Sequence, residues 1–150
     1  MTGKKISIED AQRFILAGIS TFTLHNSKTG NSFTYNVKIS DDGKLYFASV
    51  IINSEKSYLG TVNNKGKYYH GKKSKIPADA QASKVLSWCL ERIYANTLPD
   101  FIEVWHEGKC GKCGRKLTVP SSIDTGIGPD CAKKLSKSVW RDLQLNKLFS

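Results

Sequence analysis

From Phe22 to Ile39 the apolar residues keep one parity on either side of a polar turn: Phe22 and Leu24, then Phe33, Tyr35, Val37 and Ile39, with Thr34, Asn36 and Lys38 between them. A strand sends successive side chains to opposite faces, so this spacing predicts two half-buried strands and excludes a helix there. Residues 26–31, with Gly30, predict the turn between them, and residues 40–44, with Asp42-Gly43, predict the next one. Residues 45–52 are apolar on both alternating sets, which predicts a central strand covered on both faces. Residues 58–62 and 67–70, joined by Asn63-Asn64-Lys65-Gly66, predict a further hairpin. The expected sheet has about five antiparallel strands.

Two helices frame these strands. Residues 7–16 carry Ser7 as an N-cap, Glu9 and Asp10 in the first turn, an apolar stripe at Ile8, Ala11, Phe14 and Ile15, and Gly18 to end the helix. A second helix is expected from near Pro77 to Ala95, with Ala82, Val85, Leu86, Cys89 and Ile93 on one stripe facing the sheet. Residues 1–100 thus form a helix, meander, helix unit. After the short break at Leu98-Pro99-Asp100, residues 101–105 are extended and lead into a cysteine-bearing segment, residues 101–150. The fold class expected is α+β, an antiparallel sheet with two packing helices plus a small C-terminal zinc-binding module.

Lysine and arginine number 23 against 13 acids, a net charge of +10 on 150 residues. The excess concentrates in residues 61–80 and 109–150, which points to a polyanion such as DNA or RNA. Only Arg13, Arg92, Arg115 and Arg141 are arginines, so bidentate reading of guanine is scarce and phosphate contact should dominate. No apolar run is long enough to span a membrane, and no apolar leader follows Met1 to Lys5, so a cytoplasmic, reducing location is expected.

In such a compartment Cys89, Cys110, Cys113 and Cys131 read as metal ligands or core thiols rather than disulfides. Cys110-Gly111-Lys112-Cys113-Gly114 has knuckle spacing, in which glycines let backbone N–H groups point at sulfur. Cys131 follows after 17 intervening residues, just past Gly128-Pro129, where a helix can start and place a thiolate at its positive end. A structural Zn2+ needs a fourth ligand. His106, at the end of an extended segment, is the best placed; Cys89, His70 and Asp130 are the alternatives. The C-G-x-C string does not open a helix in a βαβ unit, which argues against a redox motif. His106 and Glu107 are adjacent and directly precede the knuckle, which argues against a zinc deaminase. Neither a phosphate-binding glycine loop nor a nucleophile elbow occurs, so a non-enzymatic role is expected.

The segment WHEGKCGKCGRKLTVPSSIDTGIGPDCAKK, from Trp105 to Lys134, resembles a small zinc-binding domain found in short, poorly characterised bacteriophage proteins. Residues 22–39 and the HGKKSKI stretch from His70 are similar to longer members of that group. The resemblance implies a phage or mobile-element origin and a host-cell cytoplasmic setting. It supports His106, Cys110, Cys113 and Cys131 as ligands of a treble-clef-like module, with one ligand rather than two on the closing helix.

Two basic patches complete the candidates. Lys65, Lys67, Lys72, Lys73 and Lys75 surround Tyr68, Tyr69 and His70, an arrangement in which Tyr69 can stack a base while lysines hold phosphates, or in which one tyrosine faces the core and the other covers the sheet edge while the lysines prevent edge pairing. Lys112, Arg115, Lys116, Lys133 and Lys134 belong to the zinc segment. The expected function is nucleic-acid binding, mainly through the phosphate backbone. The alternative is a phage accessory protein that binds and inhibits or redirects a host or defence protein.

Overall fold

The computed structural model describes residues 3–110. The short strand β1 (Lys4–Ile6) leads into helix α1 (Ile8–Ile15). Ser7 starts that helix as expected, its Oγ accepting from the N–H of Asp10 at 3.1 Å, and Arg13 pairs with Asp10 one turn apart at 2.9 Å. Four strands follow as a meander: β2 (Ile19–Asn26), β3 (Ser32–Ile39), β4 (Tyr46–Ile52) and β5 (Glu55–Val62). The β4–β5 turn is Asn53-Ser54, both with positive φ (52° and 67°), the two-residue geometry whose twist matches a hairpin. Strand β6 (Tyr68–His70), helix α2 (Gln81–Ala95) and strand β7 (Ile102–His106) complete the described residues.

Helix α2 begins later than Pro77. Residues 77–80 instead form a turn in which the Ala80 N–H donates to the Pro77 carbonyl at 3.1 Å and Ser83 Oγ donates to the same oxygen at 2.9 Å. The helix ends on Asn96, which takes the left-handed conformation (φ 59°) and lets the N–H groups of Asn96 and Thr97 reach back to the Ile93 and Arg92 carbonyls.

The sheet is antiparallel throughout, in the order β1-β7-β2-β3-β4-β5-β6. It has seven strands among the described residues rather than about five. The three residues of β1 are too few to show a period, and β7 looked like a lead-in to the cysteines. In fact β7 is inserted between β1 and β2, with His106 opposite both Lys4 and Phe22.

Both helices pack on one face. Phe22, Tyr35, Val37, Val50, Leu59 and Val62 from the sheet meet Phe14, Ile15, Leu86, Leu90 and Ile93 from the helices. Polar tips inside this layer are satisfied: Tyr35 Oη donates to the Ala82 carbonyl at 2.7 Å, Tyr46 Oη to Leu16 at 2.8 Å and Tyr94 Oη to Gln12 at 2.8 Å. These bonds tie each helix to its place.

The outer face carries no helix from the described residues, which corrects the expectation for β4. Ala48 and Val50 are buried against the helices, whereas Phe47 is exposed on the other side. An unbroken apolar run is therefore not proof of two covered faces; here it places apolar side chains outward.

Candidate metal centre and nucleic-acid interface

His106 is the last residue of β7, and alternation along the strand turns it to the helix side, where it is fully buried. Its ring lies 5.9 Å from that of Phe14, tilted by 46°. Gly108, at φ 78°, reverses the chain immediately afterwards, and its N–H donates to His106 Nδ1 at 2.9 Å. An imidazole nitrogen that accepts a hydrogen bond carries a lone pair, so the Nδ1 lone pair of His106 faces the turn that leads to Cys110 and is held there by the Gly108 N–H. Cys110 is buried as well. A nitrogen and a sulfur donor of the kind zinc prefers thus sit four residues apart at one end of the sheet.

Among the described residues no three His, Cys, Asp or Glu side chains converge on one point. The remaining candidates, Cys113 and Cys131, lie outside the described residues, as do Asp130, Lys112, Arg115, Lys116, Lys133 and Lys134. Two alternatives for the fourth ligand can be weighed directly. His70 is on β6, five strand steps from β7 in the sheet, or about 24 Å at the usual strand spacing, too far to share an ion with His106. Its Nδ1 is instead within 2.9 Å of Tyr68 Oη. Cys89 is buried in the core from α2, and burial pushes its thiol up to about 12.

The first basic patch is fully described. Lys65 and Lys67 are exposed on the β5–β6 hairpin, where Asn63 Oδ1 accepts from both of their N–H groups at 2.9 Å. Tyr69 projects outward from β6, and Lys67 Nζ lies over its ring, 5.3 Å from the centroid. Lys72, Lys73 and Lys75 are exposed on the loop that follows. Ser74 anchors that loop, donating from Oγ to the Tyr58 carbonyl at 2.7 Å. The loop lysines and Tyr69 therefore share one corner of the sheet.

Residues that sequence reasoning did not select stand beside them. The registers align Lys38, Phe47, Thr61 and Tyr69 in one row across β3, β4, β5 and β6, all on the outer face. Tyr58 joins this face, its ring centroid 6.4 Å from that of Phe47. Lys56, opposite Ile51, is on the same side. The available signal was Tyr69 sharing parity with Lys67; the registers were needed to bring Phe47 beside Lys38 and into the same row.

A separate groove of about 460 Å³ opens between α2 and the β2–β3 turn, lined by Leu24, Phe33, Val85, Trp88 and Phe101, with Lys84 at its edge. Arg92 stacks on the Trp88 ring at 4.0 Å. No described helix is long and apolar enough to cross a membrane.

No curated protein and no solved structure matches the chain. Residues 105–136, the stretch that holds His106, Cys110, Cys113 and Cys131, are similar to a family described as a family of unknown function (DUF6011).

Proposed function

We propose that the chain is a non-enzymatic nucleic-acid-binding protein of bacteriophage origin that works in the host cytoplasm and carries one structural zinc. His106, Cys110, Cys113 and Cys131 hold the metal. Four nitrogen and sulfur ligands leave no position for an activated water, so the ion acts as a cross-link. His106 belongs to β7, so one of the proposed ligands is carried by the sheet itself. Lys65, Lys67, Lys72, Lys73 and Lys75 contact phosphates, together with Lys112, Arg115, Lys116, Lys133 and Lys134 from the zinc segment.

The observation that carries this reading is Tyr69, half-exposed on the outer face with the Lys67 ammonium over its ring and three further exposed lysines on the next loop. An aromatic ring beside several cations suits a base next to its phosphates. A mobility-shift titration of purified protein against DNA and RNA at low and moderate salt tests it. Binding that weakens steeply with salt is the expected result; no shift at micromolar protein and low salt overturns it. A protein target is the second reading, favoured by the apolar groove beside Trp88, and it takes over in that event.

A further inference from the structure

Building on the nucleic-acid reading, we propose that the outer face over β4, β5 and β6 is a stacking platform for single-stranded nucleic acid. Phe47 and Tyr69 receive successive bases, Tyr58 walls the site, and Lys38, Lys56, Lys67, Lys72 and Lys73 hold the intervening phosphates. Phe47 is 44% exposed and Tyr69 48%, which sets them among the most exposed large apolar side chains of the described residues. Each ring offers an exposed π-face on which a base can stack.

The two rings share one register row with Thr61 between them, so they stand two strand steps apart, about 10 Å. A single strand with splayed bases spans that distance, whereas a duplex hides its base faces inside the stack and meets only the lysines. Tyr58 is tilted 60° to Phe47 with its centroid 6.4 Å away, so the two rings meet at an angle rather than stacked. Gly71 gives Tyr58 its room: a Cβ there would come within 2.7 Å of the tyrosine ring.

Charge selects the occupant. The outward positions of β3 to β6 are Ser32, Thr34, Asn36, Lys38, Phe47, Ser49, Ile51, Lys56, Tyr58, Thr61 and Tyr69, without a carboxylate. Carboxylates lie toward the other end of this face: Glu107 accepts from Thr23 Oγ1 at 2.6 Å, and Glu103 is opposite His25 on β7. Asp41 and Asp42 are in the β3–β4 turn, and Glu55, paired with Ile52, has the opposite parity to Lys56. The β4–β6 part of the face, with aromatic rings and lysines and no outward carboxylate, fits a polyanion that presents flat rings.

Fluorescence anisotropy of the full chain with a labelled oligothymidylate and with a duplex of the same length separates the possibilities. Phe47→Ala and Tyr69→Ala should each weaken single-strand binding about 5- to 100-fold and leave duplex binding within about twofold. Phe47→Leu, which keeps apolar bulk but not the π-face, should behave as Phe47→Ala, and Tyr69→Phe should retain binding. Circular dichroism verifies that each variant is folded. If Phe47→Ala and Phe47→Leu bind both substrates like the parent, the platform is refuted. The nucleic-acid reading survives that result provided that the double variant Lys72→Glu, Lys73→Glu weakens both substrates. If the parent chain binds neither substrate, the underlying reading fails and takes the platform with it.

Discussion

The N–H of Gly108 points at Nδ1 of His106 from 2.9 Å, and this one bond turns the histidine lone pair toward the cysteine-bearing turn. A metal on that nitrogen would displace the Gly108 N–H, which would then need another acceptor. Mass spectrometry under native conditions should find about one zinc per chain. Cys113→Ser and Cys131→Ser should lose it and lower the stability of the C-terminal segment, since structural zinc contributes ~10–16 kcal/mol in small modules. Cys89→Ala should keep it. Zinc lost from Cys89→Ala but retained in His106→Ala would reverse the ligand assignment.

Alkaline pH should destabilise the sheet domain, and Cys89 shows why. Burial raises its thiol from 9.0 to about 12 in the folded chain. Below pH 9 both states hold the proton and the contribution is complete. Between pH 9 and 12 the unfolded chain releases its proton first, so stability falls by up to about 1.4 kcal/mol per pH unit from this group. Tyr35 and Tyr94, also raised chiefly by burial, act in the same direction. Urea midpoints measured from pH 8 to 11 should decline, and Cys89→Ala should make the decline shallower. A flat profile would contradict the buried placement of these groups.

Gly66 carries the basic hairpin at φ 86°, and a Cβ there would fall 2.1 Å from the Tyr94 ring. Gly66→Ala therefore combines backbone strain with a collision and should cost more than the ~1–3 kcal/mol of strain alone. Gly43 supplies the control, with φ 73° and open space around its Cβ position. Gly43→Ala should cost only the strain. Thermal unfolding of the two variants side by side reads the difference, and equal losses would mean that Tyr94 gives way freely.

Salt dependence should count the phosphate contacts. Each lysine–phosphate contact releases counterions, and log affinity should fall against log salt by about 0.7 per contact on a single strand and 0.9 on a duplex. Lys72→Glu with Lys73→Glu should flatten that slope by about two contacts and weaken all sequences alike, because few arginines are present to read bases. Titrations at several salt concentrations with unrelated sequences test both statements. A strong sequence preference would require base contacts that these residues do not supply.

The hairpin signals were legible because period and turn chemistry agree locally. Phe22 does face Tyr35, and Asn63 and Gly66 do close the β5–β6 turn. The stripe on α2 was legible too, except that Val85 is only half-buried and lines the groove, while Leu90 takes its place in the core. The position of β7 was not legible, since pairing with β1 and β2 joins segments far apart in the chain and leaves no local mark. Nor was the outward placement of Phe47, because an apolar residue in a strand looks the same in sequence whether it meets a helix or water. The metal candidates were legible as a spacing of sulfur and nitrogen, but only the register of β7 shows His106 to be part of the sheet.

Among the described residues strand β1 has β7 as its only pairing partner, and Lys4 meets His106 across roughly 100 residues of chain. During synthesis the first strand waits while the meander and α2 are made, and the β2 edge stays uncovered for as long. Closing that gap with β7 delivers His106 and the start of the cysteine segment together. Completion of the sheet is therefore a late event in the life of each new chain, and a ribosome that stalls before residue 102 releases a sheet with an open, sticky edge.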